Sequence, residues 1–362
     1  MNTPFEPYTL AGIPLRNRFV RSATVGPYGT AGVIGYAGIR RYQLLAEQQV
    51  GLIITEMTFI SPDGQASRTQ AGICDSGSIV RHRQITEAVH QAGGKIFIQL
   101  NHGGAASLCD MPPSPSGVPS PYTGKPAKIM TPDEIAAVTM EFANAAARAQ
   151  RAGYDGIQLH CAHGYLLSQF ISPFFNHRDD LYGGSAENRF RFPAEVIAAV
   201  KAAVGPEYPV CIKLNTNAET EDDRYEDALL WMGQECARLG VCAIEVSGHD
   251  FTPLGRSGLH AYYLDRAARL RQASGLPVML VGGIRTAEDI RRVLGAGIDL
   301  VSMSRPFLCQ PDLVFRFLEG TDSRCVSCSR CFAMLRKFDS EGRLCIQHDP
   351  DSDRFGSYTP TE

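Results

Sequence analysis

Where an apolar run ends, the chain reads GIQLHCAHGY, and its last six positions hold His160, His163 and Tyr165. Two imidazoles at this spacing could ligate a metal, but no zincin-type glutamate lies between them and no third ligand is adjacent. The other chemistry open to them is a pair of N–H donors converging on a substrate oxygen. The Tyr165 phenol beyond them could then donate a proton, since its weak acidity suffices when the acceptor is a more basic carbanion.

A second set of candidates is spread over other apolar runs. Lys213 sits in VCIKLN, Gln99 in IFIQLN, and Thr24 follows Ser22 and Ala23 in RSAT. Together they could frame a planar heterocycle that becomes anionic on reduction, the lysine stabilising the reduced form and the amide reading the ring edge. Each also has a plainer explanation: a carboxylate partner for Lys213, a backbone partner for Gln99, an ordinary strand end for Thr24. Gly282-Gly283 and Ser304-Arg305 suggest a phosphate site, with backbone N–H groups uncovered by glycine and a guanidinium for the charge. A tight turn alone would also explain the glycine pair, and a phosphate does not distinguish a cofactor from a phosphorylated substrate. Cys325, Cys328 and Cys331, with Cys345 after thirteen intervening residues, could hold a [4Fe–4S] cluster or a structural zinc. The other seven of the 11 cysteines are scattered and read as small, reduced core residues.

These groups need a scaffold that ends many strands at one place. Short apolar runs at Arg18–Ala23, Gly51–Thr58, Lys95–Leu100, Gly156–His160, Val210–Asn215, Cys242–Ser247, Pro277–Gly282 and Asp299–Met303 read as strands buried on both faces. Helical segments separate them, and one opens with Thr131, Pro132 and Glu134 in a capping-box pattern. Eight strands, each followed by a helix, predict a (β/α)8 TIM barrel. The competing doubly wound sheet would want a GxGxxG turn after an early strand, and none is present. The Pro-, Ser- and Gly-rich stretch Cys109–Met130 is either a lid over the site or a surface insertion. The expected division is a barrel over residues 1–320 and a short Cys-containing extension over 321–362.

Composition narrows the partners. Over 362 residues the net charge is −3 and 44% of residues are hydrophobic, so a sizeable core is expected and no basic surface for nucleic acid or anionic membrane. The N-terminus has no charged-then-apolar leader pattern and no stretch approaches a membrane span, so a cytoplasmic location is expected.

The residues quoted so far also carry a resemblance. The blocks HCAHGYLLSQFISPFFN (His160–Asn176) and RDDLYGGSAENR (Arg178–Arg189), with LRNRFVRSAT, GLIITEMT, IQLNH and VGGIR, make the chain similar to the Old Yellow Enzyme family of NADH:flavin oxidoreductases, from about Phe5 to Leu313. The resemblance implies a barrel carrying FMN, reduced by NAD(P)H, that reduces activated alkenes such as enones and enals. It assigns the substrate oxygen to His160 and His163, the proton to Tyr165, and FMN contacts to Ala23, Thr24, Met57, Gln99, Lys213, Gly283, Ser304 and Arg305, with Ser22 and Gly282 beside them. Two positions depart from the usual pattern: Lys213 stands where arginine is commonest, and Ser304 where glycine precedes the arginine. The cysteine group resembles that of the 2,4-dienoyl-CoA reductase-like branch, which bears an iron–sulfur cluster. A flavin dehydrogenase passing electrons through such a cluster, and a non-catalytic phosphate-binding barrel, are the alternative functions. The expected partners are an alkene substrate, a nicotinamide and, where the chain self-associates, further copies in a homo-oligomer. The charged RDDLYGGSAENR block is expected to brace the helix that follows it rather than to touch substrate.

Overall fold

The computed structural model describes residues 3–26, 28–217, 224–331, 345 and 347. Eight parallel strands close into a barrel: β1 (Phe19–Arg21), β2 (Leu52–Phe59), β3 (Ile96–Asn101), β4 (Gly156–Cys161), β5 (Val210–Asn215), β6 (Ile244–Ser247), β7 (Val278–Val281) and β8 (Leu300–Met303). β8 pairs with β1 to complete the ring. The principal helices are α1 (Tyr36–Glu47), α2 (Ser78–Gln91), α3 (Pro132–Arg151), α4 (Ala186–Val204), α5 (Tyr225–Arg238), α6 (Leu264–Ser274), α7 (Ala287–Gly295) and α8 (Leu313–Leu318). The expected (β/α)8 barrel is therefore the fold, and every expected strand falls within a residue or two of its place.

The two faces of each strand explain why the runs look continuously apolar. Along β4, Ile157 and Leu159 pack outward into the large core shared with the helices, where Phe142, Val196 and Ile197 meet them. Gln158 and His160 alternate with them and belong to the barrel interior. The interior begins with an apolar layer of Val20, Phe97, Cys211, Ala243, Met279 and Leu300, all near the start of their strands. Leu10 and Leu15, from an antiparallel hairpin of Tyr8–Leu10 and Ile13–Leu15, join this layer and close that end. Burying each such side chain contributes about 1.5–3 kcal/mol.

Two residues further along the same faces stand Ser22, Gln99, Lys213, Glu245 and Ser302, so the pleat places a polar layer directly above the apolar one. β2 follows this alternation only up to Ile54. Its register against β3 shifts between Ile54 and Met57, and Met57, not Glu56, faces the cavity.

Local signals hold where they are chemically complete. Thr131 accepts from the Glu134 N–H while Glu134 accepts from the Thr131 N–H, and Pro132 fills the first turn of α3. Ser185 caps α4, and Arg178 binds Asp180 and the carbonyls of Pro115 and Met130, so this charged block braces its surroundings as expected. The long excursion after β3 is folded back by pairing of Pro113–Ser114 with Lys128–Ile129. No helix among the described residues is long and apolar enough to cross a membrane.

Candidate active site

β4 delivers His160 at its end, and the turn that follows delivers His163 and Tyr165. His163 adopts a left-handed φ of 62°, unusual for a residue with a side chain. The turn is fixed by its own hydrogen bonds: the His163 N–H donates to Asn215 Oδ1 at 3.2 Å and the Gly164 N–H to Ser168 Oγ at 2.9 Å. A short helix, Leu166–Ile171, then carries the chain away. The His160 ring centre lies 5.2 Å from that of His163, edge on, and 5.1 Å from that of Tyr165. His163 Nε2 is 2.8 Å from Ser247 Oγ. His160 Nδ1 is buried and has no hydrogen-bond partner among the described residues.

Burial holds both imidazoles well below their ordinary pKa; His163 and then Lys213 add to the effect on His160, and Lys213 and then His249 to that on His163. Both rings are thus neutral near pH 7, each with one N–H to donate. Burial, then the nearby Tyr122 phenol, pushes Tyr165 up, so it keeps its proton until a stronger base arrives. Tyr122 reaches it from the Cys109–Met130 excursion, with ring centres 6.4 Å apart and planes at 25°. That excursion is therefore part of the site wall.

Below these groups the polar layer forms one connected network. Lys213 donates to Ser22 Oγ at 2.9 Å and lies 3.2 Å from Glu245 Oε2. Gln158 donates to the same carboxylate at 3.0 Å and accepts from Gln99 Nε2 at 2.7 Å, while Ser302 donates to the other oxygen. Burial would raise the Glu245 carboxyl, but Lys213 and the surrounding donors outweigh it and hold the group below its ordinary value. Lys213 does have a carboxylate partner, yet its side chain still lines the cavity. Glu245 and Gln158 were not picked out from sequence, although a lone carboxylate inside the apolar run CAIEVS demands a buried partner.

The opposite end of the cavity is built from backbone. Gly282 and Gly283 both have left-handed φ, and a Cβ on either would stand 2.7–2.8 Å from the ring of Tyr262. Only glycine lets the chain pass there with its amides uncovered. Thr24 Oγ1 is 2.8 Å from Ser304 Oγ, tying the end of β1 to the end of β8. The helix that follows Ser304, Arg305–Cys309, is only five residues long, so glycine amides and the Arg305 guanidinium, more than a helix dipole, define this end.

All thirteen expected positions line one cavity of about 770 Å³ at the C-terminal mouth of the barrel: Ser22, Ala23, Thr24, Met57, Gln99, His160, His163, Tyr165, Lys213, Gly282, Gly283, Ser304 and Arg305. Among the described residues, no aspartate or glutamate lines it. A cavity with uncovered amides and an arginine at one end, and a buried lysine and amide in its floor, suits a planar ring bearing a phosphate tail. Tyr122, Phe251, Tyr262, Ser327 and Ser329 also line it and were not foreseen. Tyr122, Tyr262, Ser327 and Ser329 arrive from loops and Phe251 from the start of a short helix, Phe251–Arg256, and none of these stretches has a period to betray its destination.

The expected metal site falls partly outside the described residues, since residues 332–344, between Cys331 and Cys345, are not among them. Cys325 and Cys331 are buried, and Cys328 and Cys345 half-buried, all as free thiols. Among the described residues, no group of three or more His, Cys, Asp or Glu side chains is placed to hold a metal ion. Between the thiols, Ser327 and Ser329 adopt left-handed φ, and the Ser327 carbonyl and Ser329 hydroxyl accept from Arg305.

Comparison with known proteins agrees with this geometry. Residues 4–323 match the model of the NADH:flavin oxidoreductase / NADH oxidase family. The chain is 33% identical over 317 residues to an NADPH dehydrogenase of Bacillus pumilus (strain SAFR-032), covering 85% of this chain and 91% of that one. It is 30% identical over 374 residues to an NADH oxidase of Thermoanaerobacter brockii, covering 98% of this chain but 57% of that longer protein. Among solved structures, morphinone reductase in complex with tetrahydroNAD superposes with a TM-score of 0.79 at 29% identity, covering 90% of this chain and 92% of the other. The chain belongs to the NADH:flavin oxidoreductase / NADH oxidase family, to which the Old Yellow Enzymes belong.

Proposed function

We propose that the protein is an FMN-dependent NAD(P)H oxidoreductase that reduces carbon–carbon double bonds activated by a neighbouring carbonyl. The observation that carries this reading is the convergence of two neutral imidazoles and a protonated phenol on one wall of the cavity, with the buried His160 Nδ1 left without a hydrogen-bond partner among the described residues. A buried polar atom in that state, facing the cavity, is open to a hydrogen bond with a ligand.

Gly282, Gly283, Ser304 and Arg305 would hold the phosphate of FMN, with Gln99 and Lys213 beside its ring, and the bound flavin would supply two-electron hydride chemistry between NAD(P)H and the alkene. Lys213 places positive charge where the reduced ring is anionic, with Glu245 fixing its position. His160 and His163 donate to the substrate oxygen and draw electron density out of the double bond. Tyr165 gives its proton to the α-carbon, so one hydride and one proton saturate the bond. Met57 and Tyr122 keep water from the reacting face.

Anaerobic spectroscopy tests this. The purified protein should show flavin bands that bleach with NAD(P)H and return on addition of an enone such as 2-cyclohexenone. A protein that cannot take up FMN, or whose reduced flavin ignores every activated alkene offered, overturns the proposal.

A further inference from the structure

The cysteine-rich segment has a role in the structure that its thiols do not explain. Arg305 Nη1 donates to the Ser327 carbonyl at 3.1 Å and to Ser329 Oγ at 2.9 Å, and Nη2 donates to the Tyr262 hydroxyl at 3.2 Å. Ser329 Oγ in turn donates to the Ser327 carbonyl at 3.4 Å, closing a triangle around one guanidinium edge. Both serines line the cavity and are 2% and 6% exposed, so this is a wall and not a loose tail. The segment is strapped to the barrel just before that point. The Ser323 N–H donates to the Arg285 carbonyl at 3.0 Å and the Arg324 N–H to Oε1 of the fully buried Gln310 at 2.7 Å.

The backbone is bent to make these contacts. Ser327 and Ser329 have φ of 54° and 60°, a conformation that side-chain-bearing residues adopt at a cost and that persists only when the surroundings over-determine it. Here the over-determining partner is Arg305. A guanidinium has five N–H donors, of which these three contacts use three, leaving two.

We propose that Ser329 is a positioning residue for the phosphate of the cofactor. With the Ser327 carbonyl and Tyr262 it clamps Arg305 in one rotamer, so that the two remaining N–H groups meet the phosphate beside the Gly282-Gly283 amides. The segment from Cys325 to Cys331 is thereby the outer wall of the phosphate end of the site. The clamp works through preorganisation: a free arginine spreads over many rotamers and must be ordered on binding, whereas a clamped one is already in place. This rests on the FMN reading given above. The competing explanation is that Arg305 merely holds the segment down and the phosphate is bound by backbone alone.

FMN and riboflavin separate the two, because they differ only in the phosphate. Dissociation constants of both are measured by flavin fluorescence quenching on apoprotein prepared from the purified holoenzyme. Ser329→Ala should weaken FMN about tenfold, the equivalent of one charge-assisted hydrogen bond, and leave riboflavin unchanged. Ser329→Thr, which keeps the hydroxyl, should restore FMN affinity, and Arg305→Ala should abolish the preference for FMN over riboflavin. If Ser329→Ala leaves FMN affinity intact, or weakens FMN and riboflavin equally, the positioning role is overturned while the flavin reading stands. Wild-type protein that binds no FMN overturns both.

Discussion

Lys213 Nζ lies 3.2 Å from Glu245 Oε2 in the floor of the cavity, and the two side chains are 3% and 0% exposed. The pair offsets the cost of holding the lysine away from water, and it also weakens the field the lysine presents to a ligand above it. Glu245→Gln removes the counter-charge and keeps the shape. The flavin midpoint potential should move to more positive values, because an anionic reduced ring then faces an uncompensated lysine. Stability should fall by roughly 3 kcal/mol, as for other broken buried pairs. A spectroelectrochemical titration and urea unfolding read the two effects, and an unchanged potential would remove Lys213 from any role beside the ring.

Tyr165→Phe separates the two half-reactions. Bleaching of the flavin by NAD(P)H should proceed at nearly the wild-type rate, since no proton from Tyr165 enters that step. Enone reduction should slow by about 10²–10⁴-fold, the usual contribution of a positioned acid. Stopped-flow traces of each half-reaction check this, and an equal loss in both would show that the phenol shapes the site instead of donating its proton.

Gly283→Ala tests the backbone cradle. The added methyl would stand 2.7 Å from the Tyr262 ring and 2.9 Å from the Ala261 nitrogen, at a φ of 70°. Left-handed backbone alone costs about 1–2 kcal/mol on a residue with a Cβ. The variant should therefore purify largely free of flavin and melt lower than wild type. Full FMN occupancy at normal affinity would mean that the close approach of the chain there is unnecessary for binding.

Glu56 predicts a pH dependence of stability. Burial pushes its carboxyl up to about 8, with the Gly26 N–H and Arg21 offsetting part of the effect. In the unfolded chain the group ionises near pH ~4.3. Across that window the folded protein keeps a proton that the unfolded chain has released, so stability falls as pH rises from about 4.3 through about 8. His82, lowered to about 4 by burial, acts the other way: its contribution is present above about 6.5 and lost as pH falls through about 4. Glu56→Gln is neutral throughout and lacks the first slope. Relative to wild type it should gain stability between about pH 5 and about pH 8, as read by urea midpoints. Parallel curves for the two proteins would sink the assignment.

The barrel and the outline of its site were legible because they depend on local pattern. Short continuous apolar runs separated by helical segments read as strands buried on both faces, and side chains at i and i+2 share a face, so Gln99, Lys213 and Ser302 had to point the same way as the apolar layer below them. The Thr131 cap, the glycine pair and the HxxHxY cluster likewise require only neighbours in sequence. What the tertiary structure decided are contacts between residues far apart in the chain. Tyr122 lies over Tyr165, Glu245 under Lys213, and Ser327 and Ser329 against Arg305, and in each case the partner comes from a loop or strand whose own sequence has no reason to name it. The register shift between Ile54 and Met57 is of the same kind, since strand propensity does not record which of two neighbours a bulge turns inward. The cysteines mark the same boundary: their spacing permits a four-thiolate site, but spacing alone does not place four sulfurs around one point.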